Sequence, residues 1–273
     1  MTDKHFRYLD HEGEQLYVVH HAARGPSRAT VVLAGPMSLE RTHATLTWVR
    51  WARALAESGY DVWRFDYRGV GESTGAFEEQ TFDGWFEDLA RVIKEARLHG
   101  ADRLVVLGLR LGALLGRAAF EEHLADAFIA WDAPAGGKPM LMDMLRRKLA
   151  ADYMEFSGEK KTRDDYVRLL EAGEVIEVEG YPWSRGLWRS AERFTFSPPE
   201  RLEGEWLSVF LDNRTADRLP NQNYYASVRI GRPAFWLQSH ALKADVDSLF
   251  ALTTERLDAW SDAWAASPAR RGA

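Results

Sequence analysis

The sequence predicts an α/β fold with a mostly parallel sheet and one insertion. Between residues 14 and 134, short apolar segments alternate with segments whose apolar residues recur at helical spacing. Continuously apolar strands are typical of a parallel sheet covered on both faces, and the intervening helices supply its right-handed crossovers. The alternation stops at about residue 135 and resumes near residue 204.

The predicted strands are rich in β-branched and aromatic residues and are bounded by turn residues. They cover residues 14–21, 29–35, 61–69, 102–109, 125–134, 205–214 and 232–240. The predicted helices of the same unit cover residues 46–60, 82–100, 110–124 and 245–266. Gly59 and Gly100 end the first two helices as C-caps.

The segment 135–203 lacks this alternation. It contains an amphipathic helical stretch over 138–156, a charged loop or helix start, and a hairpin pattern over 174–184. We interpret it as a cap or lid over a core formed by residues 1–134 and 204–273.

Tryptophan is frequent, with 11 residues. Trp48, Trp51 and Trp63 fall within predicted elements, so we expect them in the core. Trp183 and Trp188 lie in the irregular insertion, where an indole is a better candidate for the wall of a ligand pocket.

Composition excludes several classes of function. The net charge of −6 gives no electrostatic indication of nucleic-acid binding, and the absence of cysteine excludes disulfides and thiolate metal sites. The first residues are too polar for a signal peptide, and no apolar run reaches the roughly 18 residues of a membrane span. We therefore expect a cytoplasmic protein with no nucleic-acid partner, no metal and no cofactor.

The segment "VVLGLRLGALLG" (105–116) carries the main functional signal. Gly108 and Gly112 flank Arg110 between a predicted strand and a predicted helix, which is the layout of the nucleophile elbow G-x-S-x-G. Arginine stands where the serine would attack. A guanidinium stays protonated and is no nucleophile, and loss of the nucleophile from such a triad costs about 10⁶ in turnover.

Further polar residues are predicted at the carboxyl ends of other strands, where open α/β sheets place their chemistry. Asp212 and His240 complete the chain order nucleophile, acid, histidine. Asp132 is a rival for the acid position, and Asp212 could instead cap a turn. The backbone N–H groups of Met37 and Leu111 are candidates for an oxyanion hole.

Two motifs resemble those of α/β-hydrolases: the elbow and "FDYRGVGESTG" (65–75), which is similar to the turn D-x-R-G-x-G-x-S-x-G. More narrowly, "GLRLGALLG", "WDAPAGGKPML" and "VEGYPWS" resemble the second type of exosortase A system-associated hydrolases, a bacterial subgroup in which arginine often occupies the elbow. The resemblance implies an α/β-hydrolase fold and a role in a bacterial biosynthetic pathway near exopolysaccharide or protein export.

Two roles for Arg110 remain open. The helix N-terminus and the guanidinium together suit a carboxylate, phosphate or sulfate of a ligand. Alternatively, Arg110 pairs internally with Asp132, Asp212 or Glu72.

Two classes of function follow. In the first, the protein is an enzyme on a small acyl- or carboxylate-bearing substrate, with Arg110 holding an anionic group and His240 acting as base beside Asp212. Met37, Leu111, Asp132 and Trp183 would then contact the substrate. In the second, it is a pseudo-hydrolase that binds a ligand, a protein partner or a second copy of itself. Convergence of Arg110 and His240 on one cavity, within hydrogen-bonding reach, would favour the first. An Arg110 buried in a salt bridge that fills the site would favour the second.

Overall fold

A computed structural model of the protein describes residues 4–155, 161–197, 204–211, 223–230, 234–238 and 246–266. Its strands are β1 (Lys4–His11), β2 (Glu14–His21), β3 (Thr30–Ala34), β4 (Asp61–Phe65), β5 (Leu104–Leu109), β6 (Ala127–Trp131), β7 (Ile176–Val178), β8 (Tyr181–Trp183), β9 (Glu205–Phe210) and β10 (Tyr225–Ser227). Strands β7 and β8 form a separate antiparallel hairpin, and the other eight form one sheet.

The strand order of the large sheet is β1-β2-β4-β3-β5-β6-β9-β10. Strands β1, β2 and β4 pair antiparallel, whereas every pairing from β4 to β10 is parallel. The predicted mostly parallel sheet is therefore confirmed. The prediction missed β1, which forms a hairpin with β2 through a turn at Glu12 and Gly13, both with positive φ.

The helices are α1 (Ser38–Glu57), α2 (Phe82–Leu98), α3 (Leu111–Glu121), α4 (Gly137–Glu155), α5 (Arg163–Ala172), α6 (Arg185–Ser190) and α7 (Asp247–Ala266). Helix α1 begins eight residues before the predicted start at 46. The Thr81 hydroxyl accepts a hydrogen bond from the Gly84 N–H and so caps α2.

Successive side chains along each sheet strand point to opposite faces of the sheet, and each face has its own hydrophobic core. Val32 and Trp63 pack with α2 and α3, while Val31 and Val62 pack with α1 and α7. The predicted core positions of Trp48, Trp51 and Trp63 are confirmed, because all three are buried.

Helices α4 to α6 and the β7–β8 hairpin lie between β6 and β9 in the chain. Their apolar side chains join the core formed with α2 and α3; examples are Met140, Leu145 and Leu187. The hairpin predicted within 174–184 is confirmed. The division of the chain into a core and a cap at 135–203 stays a prediction.

The strand predicted over 232–240 is wrong within residues 234–238, which form a turn. The place beside β9 is taken by β10 (Tyr225–Ser227), so this segment does not extend the sheet there. Phe235 and Trp236 instead pack edge to face in the core beneath α7. Among the described helices, none is long and apolar enough to cross a membrane.

Candidate functional site

Arg110 lies in the turn between β5 and α3. Its backbone conformation is one that residues other than glycine rarely adopt. Its φ is 56° and its ψ is −111°. Such a conformation costs on the order of 1–3 kcal/mol and persists only where the surrounding structure enforces it. A strained strand-to-helix turn is also the backbone geometry of a nucleophile elbow.

Two glycines hold this turn close to the sheet. A Cβ on Gly112 would overlap the carbonyl oxygen of Ala34, at the end of β3, and a Cβ on Gly108 would overlap the carbonyl oxygen of Gly112. The residue types at both positions are therefore set by close backbone approach. The same packing brings the start of α3 against the loop that follows β3.

The Arg110 side chain is occupied by two carboxylates. Its Nε lies 3.3 Å from Oε2 of Glu40, and its Nη1 lies 3.3 Å from Oδ2 of Asp132. Only 11% of the side chain is exposed. Asp132, one of the internal partners considered from the sequence, thus pairs with Arg110. Glu72 is exposed, and its backbone N–H donates to Asp66.

Glu40 is the most deeply buried carboxylate of this group, with 2% of its side chain exposed. Its Oε1 also accepts a hydrogen bond from Nη2 of Arg147 on α4, at 3.1 Å. Arg147 in turn donates from Nε to Glu179, in the β7–β8 turn, at 2.8 Å. Burial alone lowers the pKa of Arg147, but the carboxylates of Glu179 and Glu40 raise it overall.

These five side chains form one network, which we call the elbow network: Arg110, Glu40, Asp132, Arg147 and Glu179. It contains two guanidinium groups and three carboxylates, so its sum of formal charges is negative. The network fixes the elbow and joins it to α4 and the hairpin.

Met37 and Leu111, the oxyanion-hole candidates, both lie at helix starts. Met37 is the N-cap of α1, and Leu111 is the first residue of α3. The first N–H groups of a helix have no partner within the helix, so both positions can offer a donor. That these two N–H groups act on one oxygen stays a prediction.

Apart from Asp132, the other predicted site residues that the structure describes do not join the elbow network. Asp132 follows β6 with φ 45°, and its backbone N–H donates to Val209 of β9 at 2.9 Å. Asp212 and His240 lie outside the described residues. Trp183 is fully buried in the core, and its indole Nε1 has no partner among the described residues. A pocket role for Trp183 stays a prediction, and Trp188 is buried too.

Sequence reasoning missed Glu40, Arg147 and Glu179. Glu40 is separated from Arg110 by 70 positions and from Arg147 by 107 positions, so no local pattern relates them. One signal was available in principle. Glu40 follows closely on the predicted oxyanion loop, and a carboxylate buried there would require a cationic partner.

The "FDYRGVGESTG" segment is a structural turn. Asp66 accepts from Nε of Arg41 at 3.0 Å, and Ser73 donates from its hydroxyl to the Asp66 carbonyl. Arg68 donates from Nε to the buried Asp88 at 2.6 Å. The Asp66, Arg68 and Ser73 side chains thus hold the turn in place.

The family model of serine aminopeptidases, S33, matches residues 26–151, which include the elbow. A solved structure of XC6422 from Xanthomonas campestris, described as a member of a/b serine hydrolase without lid, is 19% identical. It covers 95% of this chain and 96% of its own, with a TM-score of 0.55.

Est1E from Butyrivibrio proteoclasticus, solved with ferulic acid bound, is 16% identical over 92% of this chain and 99% of its own, with a TM-score of 0.58. The chain has the α/β-hydrolase fold. An alpha-beta serine hydrolase homologue from Coxiella burnetii is 26% identical, but the match spans 50% of this chain and 65% of that protein, with a TM-score of 0.42. No curated protein sequence matches the chain.

Proposed function

We propose that this protein is a pseudo-hydrolase, which binds a small acyl- or carboxylate-bearing ligand on an α/β-hydrolase fold without forming an acyl-enzyme. The observation that carries the proposal is the double pairing of Arg110 with Glu40 and Asp132. Arg110 takes the elbow position that a nucleophile would need. Its guanidinium stays protonated at neutral pH and has no lone pair with which to attack.

The pairing also bears on the alternative use of Arg110 as an anion holder. Arg110 already donates to two carboxylates and is mostly buried. A ligand carboxylate would have to displace one of them, and a displaced Glu40 would remain beside Arg147 in a buried position. Such a displacement leaves buried charge poorly compensated, which is costly.

An enzyme with Arg110 as anion holder and His240 as general base is the second candidate. One observation favours it: the elbow is strained at Arg110 even though arginine, not serine, occupies that position. In this alternative, His240 with Asp212 or Asp132 would activate water directly. The two candidates differ in whether substrate is consumed.

The deciding experiment measures both turnover and binding on the purified chain. Wild type, His240→Ala and Arg110→Ala are assayed on short acyl esters and thioesters and treated with a fluorophosphonate probe. The pseudo-hydrolase proposal predicts no probe labelling and no hydrolysis above the buffer rate in any variant. Thermal unfolding in the presence of the same compounds and their free acids should reveal at least one saturable stabiliser that is recovered intact.

Hydrolysis that is present in wild type and lost in His240→Ala would overturn the proposal in favour of the enzyme. Unchanged hydrolysis or ligand binding in Arg110→Ala would exclude Arg110 as the anion holder. A bacterial biosynthetic or export pathway and a cytoplasmic location extend the proposal on the sequence resemblance alone. Fractionation of cells that produce the tagged protein tests the location.

A further inference from the structure

A second feature of the molecule lies apart from the elbow network. A cavity of about 30 Å³ lies where β3 and β4 end, beside α1. Helix α1 contributes Arg41 and Trp48 to its wall, Gly35 follows β3, and Arg64 and Asp66 come from the end of β4. Its volume has room for about two water-sized groups, since one such group needs roughly 10–15 Å³.

Arg64 brings a positive charge to this cavity. Within the described part of the chain, its guanidinium donates a hydrogen bond from Nε to Nε2 of His21, at 3.2 Å, and forms no salt bridge. An imidazole that accepts from a guanidinium is neutral and does not compensate the charge. Burial lowers the pKa of Arg64, which reflects the desolvation of its guanidinium.

The other charged groups of the wall neutralise each other. Arg41 pairs with Asp66 through two contacts, Nε to Oδ1 at 3.0 Å and Nη2 to Oδ2 at 2.6 Å. A Cβ on Gly71 would overlap this pair, so glycine leaves the space in which it forms. Among the residues that the structure describes, the cavity wall therefore contains two guanidinium groups and one carboxylate, an excess of one positive charge.

Trp48 adds an unused hydrogen-bond donor to the same wall. The residue is 7% exposed, and its indole Nε1 is buried without a partner among the described residues. It lies near Gly35, because a Cβ on Gly35 would be 3.7 Å from that nitrogen. A buried donor without a partner is costly and is rare in folded proteins.

We propose that this cavity binds the carboxylate group of a small organic acid. Arg64 supplies the uncompensated charge and the paired N–H donors that a carboxylate accepts, and Trp48 supplies a further donor. One bound carboxylate would neutralise the excess charge of the wall. Because Gly35 belongs to the wall and precedes the N-cap of α1 by two residues, an occupant would also stiffen the loop next to the elbow.

Acetate is the probe, and acetamide is its uncharged counterpart of similar shape. Each is titrated into the full chain at constant ionic strength, with isothermal titration calorimetry and the melting temperature as readouts. We expect acetate to bind saturably and to raise the melting temperature, and acetamide to do neither. Arg64→Met should weaken acetate binding at least about tenfold, since a hydrogen bond to a charged group contributes that much.

Arg50→Met is the matched control, since Arg50 is an exposed arginine of α1 that is absent from the cavity wall. It should bind acetate as wild type does. Equal weakening by Arg50→Met and Arg64→Met, or equal effects of acetate and acetamide, would overturn the proposal. If Arg64→Met fails to fold, Arg64→Lys and Trp48→Phe decide: weaker binding in both supports the site, and unchanged affinity in both refutes it.

Discussion

The guanidinium of Arg110 lies 3.3 Å from the carboxylate of Glu40, although 70 positions separate the two residues in the chain. Glu40 belongs to the first turn of α1, and Arg110 to the turn before α3. The two helix starts meet because β3 and β5 are neighbours in the sheet. Through Glu40, the strained elbow is joined to a second arginine from α4.

Glu40→Gln tests how far this network stabilises the fold. The substitution leaves two guanidinium groups facing a neutral amide in a buried position, and breaking a buried charge pair in this way costs about 3–5 kcal/mol. We expect a decrease at the lower end of that range in the free energy of unfolding, measured by urea denaturation. The control is Glu121→Gln, which removes a half-exposed partner of Arg117 and should cost less than about 1 kcal/mol. Equal effects of the two substitutions would show that the network is energetically unimportant.

Arg147→Met tests whether the same network fastens α4 and the β7–β8 turn over the elbow. Loss of its hydrogen bonds to Glu40 and Glu179 should lower amide-exchange protection in the β7–β8 hairpin roughly tenfold. Protection in α2 should not change. Arg146→Met is the matched control, because Arg146 is an exposed neighbour on the same helix. Altered hairpin protection in the control, or none in Arg147→Met, would contradict this role.

Gly112→Ala tests the close approach of the elbow to β3. The added Cβ would overlap the Ala34 carbonyl oxygen, so the start of α3 must move. Overpacking of this kind costs about 1–3 kcal/mol, and we expect a lower melting temperature by a corresponding amount. Gly84→Ala in α2 serves for comparison, since its Cβ would make ordinary contacts and alanine favours a helix. A Gly112→Ala protein as stable as Gly84→Ala would refute the packing account.

Asp88→Asn tests a pH dependence that follows from burial. Burial raises the pKa of Asp88 from 3.8 to about 6, although the backbone and side chain of Arg68 lower it in part. In the folded state, the carboxyl therefore retains its proton over a range in which the unfolded chain has lost it. Its contribution to stability is complete below about pH 4 and is lost as the pH rises through about 6.

The measurement is the free energy of unfolding from about pH 4 to about pH 7, for wild type and Asp88→Asn. Other carboxylates, such as Asp61 and Glu95, have lowered pKa values and act in the opposite direction, so the difference between the two proteins is the informative quantity. Wild type should lose stability relative to Asp88→Asn as the pH rises. A constant difference would contradict a raised pKa. Asp102→Asn, at an exposed carboxylate, is the control substitution.

Much of the fold follows from local patterns. The apolar runs of β3, β5 and β6 and the helical periodicity of α2 are visible in single segments, because burial on two faces or on one helical stripe imposes a fixed spacing. The missed strand β1 and the turn at 234–238 show the limit of such patterns. A strand at a sheet edge, such as β1, has a weaker pattern of apolar residues than a central strand. The strand that pairs with β9 depends on which chain segment the tertiary structure brings next to it.

The sequence by itself determined that Gly108 and Gly112 flank an arginine between a strand and a helix, since these residue types and their spacing are local. Only the tertiary structure decided which groups that arginine contacts. Its partners come from α1 and from the end of β6, and the next cation comes from α4. Charged side chains interact through space with whatever lies within a few ångströms, however far apart in the sequence. Hydrophobic periodicity, in contrast, is a pattern among residues close together in the sequence. The strand order that brings the helix starts together therefore sets the partners of Arg110.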